Sequence, residues 1–219
     1  IQALSYYYNQ DFKKIKNFRP LVLTRSPLVA PHNAGILYSG ETIVSWQTLK
    51  YLPFYNGLAA NKGVSWWSHD VGGYKDGIED SELYARYVQF SAFSPIFRFS
   101  AKRGIYYKRE PWAWDVKTFN IAREYCSLRQ RLIPYLYTAA YEYSKTGRPL
   151  VQPIYYTYPE IYDELDYRNE YYFGKELFVA PITKPKEPTM NRSIERIFLP
   201  KGTWYDFKTG KKFVGNKRY

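Results

Sequence analysis

Two carboxylates stand where short apolar runs end. Glu41 closes Gly35-Ile36-Leu37-Tyr38-Ser39-Gly40-Glu41, and Asp70 closes Val64-Ser65-Trp66-Trp67-Ser68-His69-Asp70 ahead of Val71-Gly72-Gly73. Runs this short fit buried strands better than helices. A carboxylate at such a strand end, beside glycines that permit close backbone approach, is how a parallel barrel presents catalytic side chains. A third run, Leu21-Val22-Leu23-Thr24-Arg25, ends on a guanidinium. Each of these groups also has a plainer reading. Glu41 could cap the helix that follows, Asp70 could cap the turn before Gly72-Gly73, and Arg25 could pair with either as structural support. Other chemistries lack their signatures. There is no glycine-rich phosphate loop, no Gly-x-Ser-x-Gly elbow and no Ser/His/Asp set. His32 and His69 are isolated imidazoles without a carboxylate or cysteine cluster at ligand spacing, so neither a metal site nor a cofactor is expected. Cys126 falls in a helical pattern and reads as a buried structural thiol.

The elements that must position these groups follow in order. Residues 3–16 show helical spacing of Leu4, Tyr7, Tyr8, Phe12 and Ile15, and a proline-marked loop spans 26–33. The stretch Val44 to Pro53 reads as a helical crossover between the two acid-bearing strands. A helix from Ser81 to Phe90 takes Asp80 or Ser81 as its N-cap. Phe93 to Phe99 reads as the next strand. The long loop from Ser100 to Trp114 carries Lys102, Arg103, Lys108, Arg109, Trp112 and Trp114, a composition expected of a binding surface. Residues 117–145 form the longest helical pattern, broken at Pro134 and closed by Gly147. Val151-Gln152-Pro153-Ile154 reads as a further barrel strand. Beyond it, short alternating runs at 176–182, 196–200 and 203–207, set off by Gly, Pro and Lys turns, give an all-β signature. An eight-stranded barrel needs about 250 residues. The expectation is therefore the second half of a (β/α)8 barrel at residues 1–170, followed by the start of a β-sandwich at 171–219.

Composition narrows the partners. The 219 residues are 20% aromatic, with 25 Tyr and 6 Trp, and carry a formal charge of +12. Aromatic faces stack on the apolar face of a sugar and equally on nucleobases. The basic excess, however, concentrates at 13–16, 184–186 and 208–218, which read as solvated surface. No nucleic-acid-binding motif accompanies it. No apolar run reaches membrane-spanning length. The first residues have no basic n-region, and a single cysteine fits a reducing compartment. A soluble, cytoplasmic location is the expectation. The chain has no initiator Met and reads as a piece of something longer.

Taken together, Leu23-Thr24-Arg25-Ser26, Tyr38-Ser39-Gly40-Glu41, Ser45-Trp46-Gln47-Thr48-Leu49, His69-Asp70-Val71-Gly72-Gly73-Tyr74, Phe93-Ser94-Pro95-Ile96-Phe97-Arg98, Arg109-Glu110-Pro111-Trp112, Leu132-Ile133-Pro134-Tyr135 and Leu199-Pro200-Lys201-Gly202-Thr203-Trp204-Tyr205-Asp206 resemble glycoside hydrolase family 31. That family contains retaining α-glucosidases and α-xylosidases. The resemblance runs in order along nearly the whole chain. It implies a (β/α)8 catalytic barrel followed by β-sandwich domains, with an oligosaccharide or α-glycoside as substrate. It assigns the general acid/base to Glu41, where the family carries aspartate. It assigns substrate contacts to Arg25 and Asp70, aromatic walls to Tyr38 and Trp67, and a glycone contact to Ser100, where α-glucosidases carry histidine. The resemblance places the family's nucleophile on an earlier strand, in a Trp-x-Asp-type motif expected ahead of residue 1. The expectation is a fragment without turnover of its own, which self-associates or joins the missing half of the barrel. The alternative is a non-catalytic carbohydrate-binding remnant.

Overall fold

A computed structural model of the chain describes residues 21–25 and 35–219. The helix expected at 3–16, the loop at 26–33 and His32 lie outside the described residues. The first sheet is parallel. Strands β1 (Leu23–Arg25), β2 (Ile36–Tyr38) and β4 (Trp67–Ser68) lie in that order, as successive barrel strands do. The registers align Thr24 with Leu37, Arg25 with Tyr38, Leu37 with Trp67 and Tyr38 with Ser68. The segment read as a strand over 93–99 continues the sheet only through single parallel bridges, Ser68 to Ile96 and Val71 to Phe99. The described residues thus form an open parallel sheet and no closed barrel.

Helix α1 (Trp46–Asn61) is the crossover from β2 to β4. Ser45 caps it from an extended backbone, its Oγ accepting from the Thr48 N–H at 3.1 Å. The helix runs on through Pro53, past the expected end, because Leu49, Leu52, Asn56, Ala59 and Ala60 bury a continuous face. That packing outweighs the one hydrogen bond a proline removes. Its Gly57 lies against Pro153, where an added Cβ would meet the ring at 3.2 Å. A short parallel pair missed in the sequence, β3 (Ile43–Val44) with β5 (Lys75–Gly77), ties the segment after Glu41 to the segment after Asp70.

Helix α2 (Ser81–Ala92) begins at Asp80, whose carboxylate accepts from the Leu83 N–H at 2.9 Å. It buries Leu83, Tyr84, Tyr87, Val88 and Phe90 in the main core beside Leu49, Leu52 and Val71. The long helical pattern is two helices, α3 (Val116–Arg131) and α4 (Ile133–Thr146). They are separated at Leu132, and Gly147 closes α4 with a left-handed φ of 71°. Pro134 falls in the first turn of α4, where its missing N–H has no partner to lose.

Val151–Pro153, expected to be a barrel strand, is instead β6, the first strand of an antiparallel sheet. Its partners are β7 (Tyr171–Phe173) and, beyond that, β8 (Leu177–Val179). Short apolar runs carry no signal of strand direction; the turn-rich chain returning at 171 supplies it. The expected division near residue 170 therefore falls between two strands of one sheet. Two further antiparallel pairs follow. β9 (Phe198–Leu199) pairs with β12 (Lys217–Arg218), and β10 (Thr203–Tyr205) pairs with β11 (Lys212–Val214).

Candidate active site

Side chains alternate across a strand, so residues in register share a face. Thr24, Leu37 and Trp67 face one way, and Trp67 packs on Leu37, Ala59 and Val64, with the Tyr55 ring edge-on at 5.1 Å. Arg25, Tyr38 and Ser68 share the opposite face. Trp67 is therefore turned toward α1, away from the other substrate-binding candidates. In a two-tryptophan run the sequence does not say which ring looks inward. Trp66 is half-buried against the main core.

The opposite face gathers the charged groups at the carboxyl ends of the strands. Asp70 is 1% exposed, and its Oδ1 accepts from Arg98 Nη2 at 2.6 Å. Arg98 Nε donates to Ser68 Oγ at 3.2 Å, and the guanidinium lies 5.6 Å from the Tyr38 ring centroid. Arg98 thus fastens Asp70 to β4 and to the aromatic ring of β2. The second Asp70 oxygen, Oδ2, is buried with no partner among the described residues. Burial pushes the Asp70 carboxyl above the usual range; Arg98 opposes this, and the Glu41 charge adds to it. An acid held by one arginine with its other oxygen unpartnered keeps the capacity to accept a hydroxyl hydrogen bond.

Glu41 follows a glycine in a left-handed backbone that side-chain-bearing residues rarely adopt. Gly40 has φ +85°, and a Cβ there would sit 2.6 Å from Arg25 Nη2. The guanidinium of Arg25 therefore lies close against the backbone leading into Glu41. The Glu41 carboxylate is half-exposed and pairs with Lys75 Nζ at 3.0 Å, on the strand that follows the Asp70 turn. Arg25, Tyr38, Glu41 and Asp70 thus meet on one rim. Ser100 lies farther along, lining a cleft of about 610 Å³ with Phe99, Lys102, Tyr107 and Trp112. Trp114, expected to flank that surface, instead stacks on Tyr84 at 4.6 Å.

Two arginines that organise the site, Arg98 and Arg109, stand in the sequence motifs quoted above without a role assigned to either. Arg98 could have been found from its place at the end of the run after Pro95. Arg109, 5% exposed, donates from Nε to the Gly73 carbonyl at 2.8 Å and from Nη1 and Nη2 to Glu79 at 3.0 and 3.1 Å. A Cβ on Gly72 would meet its side chain at 2.9 Å. Arg109 comes from a distant loop, and no local pattern announces it. On the outer side, His69 is fully buried, stacked 5.3 Å from Phe90 with Nε2 3.3 Å from Ser94 Oγ. Burial, then Arg98, pulls its pKa down to about 3, so the ring is neutral. Among the described residues no three His, Cys, Asp or Glu side chains gather as metal ligands. No described helix is long and apolar enough to cross a membrane.

The architecture and these motifs have known counterparts. Residues 2–139 match the glycosyl hydrolases family 31 TIM-barrel domain, and residues 147–219 match the family 31 C-terminal domain. Neutral alpha-glucosidase C of Homo sapiens is 32% identical over 200 residues, covering 90% of this chain and 21% of the relative. An alpha-xylosidase of Saccharolobus solfataricus is 30% identical over 213 residues, covering 94% of this chain and 28% of the relative. The chain thus spans roughly a quarter of the length of these relatives. Among solved structures, a Flavobacterium johnsoniae GH31 dextranase complexed with glucose superposes with a TM-score of 0.85 at 27% identity, covering 97% of this chain and 27% of that one. A cycloalternan-degrading enzyme from Trueperella pyogenes, in complex with isomaltose, superposes at 0.86 with 24% identity. With both domain models matched in order across the chain, the protein belongs to glycosyl hydrolase family 31.

Proposed function

We propose that this chain supplies the acid/base and sugar-holding half of a retaining α-glycoside hydrolase site. The observation that carries the reading is the convergence of Arg25, Tyr38, Glu41, Asp70 and Arg98 on one rim of the parallel sheet. In this reading Glu41 protonates the departing glycosidic oxygen and then takes a proton from the attacking water. Asp70 accepts a hydroxyl hydrogen bond of the terminal sugar through its unpartnered Oδ2, and Arg98 keeps that carboxylate aimed. Arg25 fixes the approach of Glu41 and contacts the sugar, Tyr38 walls it, and Ser100 stands at the edge toward the long loop. Retention needs a second carboxyl group about 5–5.5 Å from the first. We assign it to a strand outside this sequence. The relatives named above, an alpha-glucosidase, an alpha-xylosidase and a dextranase, support an α-linked oligosaccharide as substrate.

Calorimetry of the chain with α-linked glucose oligosaccharides tests the reading. Saturable binding that Asp70→Asn removes is expected, with no hydrolysis of aryl α-glycosides. Binding untouched by Asp70→Asn overturns the assignment of the rim. Hydrolysis abolished by Glu41→Gln overturns the assignment of the nucleophile to another segment. A second reading, a carbohydrate-binding remnant without catalysis, is favoured by the Glu41–Lys75 ion pair at 3.0 Å, which occupies the acid. Joining the chain to the barrel strands it lacks separates the two, because only the first reading predicts turnover. The open edges of the parallel sheet also favour pairing, and light scattering is expected to report self-association.

A further inference from the structure

The cleft beside the rim has a composition that a neutral sugar does not require. Its wall is built by Phe99, Ser100, Lys102, Arg103, Tyr107 and Trp112. It is fastened to the Asp70 turn at three points. Phe99 pairs in parallel with Val71, the Lys102 N–H donates to the Tyr74 carbonyl at 2.9 Å, and the Tyr107 hydroxyl accepts from the Asp76 N–H at 3.0 Å. A molecule held at Asp70 and extending past Ser100 therefore enters this cleft. Trp112 is 75% exposed, although tryptophan normally buries its large apolar surface. With Phe99 and Tyr107 it offers a stacking face of the kind sugars use.

Charge distinguishes the cleft. Arg109 lines it, but its guanidinium donates two hydrogen bonds to the Glu79 carboxylate, which meets its charge. The one carboxylate in the lining, Glu110, accepts from the Arg109 N–H at 3.2 Å. Among the described residues neither Lys102 nor Arg103 forms a salt bridge, and both are exposed. Among the described residues the cleft thus holds two cations without an ion-pair partner against one carboxylate, next to aromatic faces. We propose that it is a subsite for an acidic sugar unit, one bearing a carboxylate, sulfate or phosphate, linked to the unit held at Asp70. This deepens the glycosidase reading and rests on it for the orientation of the bound saccharide. Guanidinium and ammonium groups bind each of these anions, Arg in bidentate fashion.

The test compares a uronic acid, a sulfated glucose, a phosphorylated glucose and glucose itself. Tryptophan fluorescence and calorimetry follow their binding to the whole chain at low ionic strength. At least one charged sugar is expected to bind about tenfold more tightly than glucose, the effect of two exposed charge contacts. The preference is expected to vanish in about 1 M salt, where charges are screened within a few ångströms. It is also expected to vanish in the Lys102→Gln, Arg103→Gln double variant, whose folding is checked by its melting curve. Which charged sugar binds identifies the anion. Equal binding of charged and neutral sugars, binding of none of the charged sugars, or a preference that survives in the double variant overturns the proposal. Asp70→Asn separates the two readings. If it leaves the binding of α-linked glucose oligosaccharides intact while the double variant erases the charge preference, the rim assignment fails and the subsite stands.

Discussion

Replacing Glu170 by glutamine is expected to stabilise the protein at neutral pH, by an amount that depends on pH in a defined way. Glu170 is 3% exposed, just before β7, and among the described residues its two oxygens accept only the Phe198 N–H, at 3.1 and 3.4 Å. Burial raises its pKa from 4.5 to about 9, and the Phe198 N–H only partly opposes this. The folded protein keeps a proton that the unfolded chain sheds above pH 4.5. The contribution is therefore most favourable below pH 4.5 and declines until pH reaches about 9. Each pH unit in that window is worth about 1.4 kcal/mol. Between pH 4.5 and 7 the penalty amounts to about 3 kcal/mol. Glutamine keeps the shape and the acceptor and does not titrate. Asp70 is raised too, but it is common to both proteins and cancels in the comparison. His69 acts in the opposite sense. Lowered from 6.5 to about 3, it lends stability above pH 6.5 that drains away as pH falls toward 3. These two contributions offset one another between pH 4.5 and 6.5 in the parent, whereas the Glu170→Gln variant keeps only the rising one. Urea unfolding at intervals across that range measures both curves. A stability gap that does not widen with pH, or a variant less stable than the parent at pH 7, refutes the reasoning.

Arg98→Met leaves Asp70 buried without its counter-charge and is expected to cost about 3–5 kcal/mol in urea unfolding. Adding Asp70→Asn is expected to recover much of that loss, and additive effects would show that the two do not interact. Gly40→Ala forces a side chain into a left-handed backbone and against the Arg25 guanidinium. Destabilisation of about 1–3 kcal/mol is expected, with only the steric part relieved by Arg25→Ala; a neutral melt contradicts the geometry. His69→Phe keeps the stack on Phe90 and removes the titrating ring. The loss of stability that His69 brings as pH falls from 6.5 to 3, offset by Glu170 down to pH 4.5 in the parent, is expected to disappear, so the variant gains stability as pH falls from 6.5 to 4.5; an unchanged acid limb counts against a neutral buried histidine.

Much of the scaffold could be read before any coordinates, because it rests on local signals. Asp80 caps α2, Pro134 and Gly147 bound α4, and the strand-end positions of Arg25, Glu41 and Asp70 follow from short apolar runs closing on polar residues. What escaped depends on partners distant in the chain. Trp67 and Trp66 differ by one position, and only the register with Leu37 decides which faces α1. Val151–Pro153 looks like any buried strand until Tyr171–Phe173 pairs with it in the antiparallel sense. Arg98 and Arg109 owe their roles to carboxylates and carbonyls on other segments, Asp70, Gly73 and Glu79.

Arg109 makes the aromatic loop and the glycine turn behave as one piece. Its guanidinium is keyed under Gly72 and bonded to Gly73, while its own carbonyl accepts the Tyr84 hydroxyl at 2.8 Å. Loop, turn and α2 therefore share a single rivet. A change at Glu79, whose two oxygens hold the far side of that rivet, will be felt at Asp70 without touching any sugar. Variation that retunes the cleft wall must leave this fastening in place, so the outer loop is free to diversify only at positions such as Lys102, Arg103 and Trp112 that project beyond it.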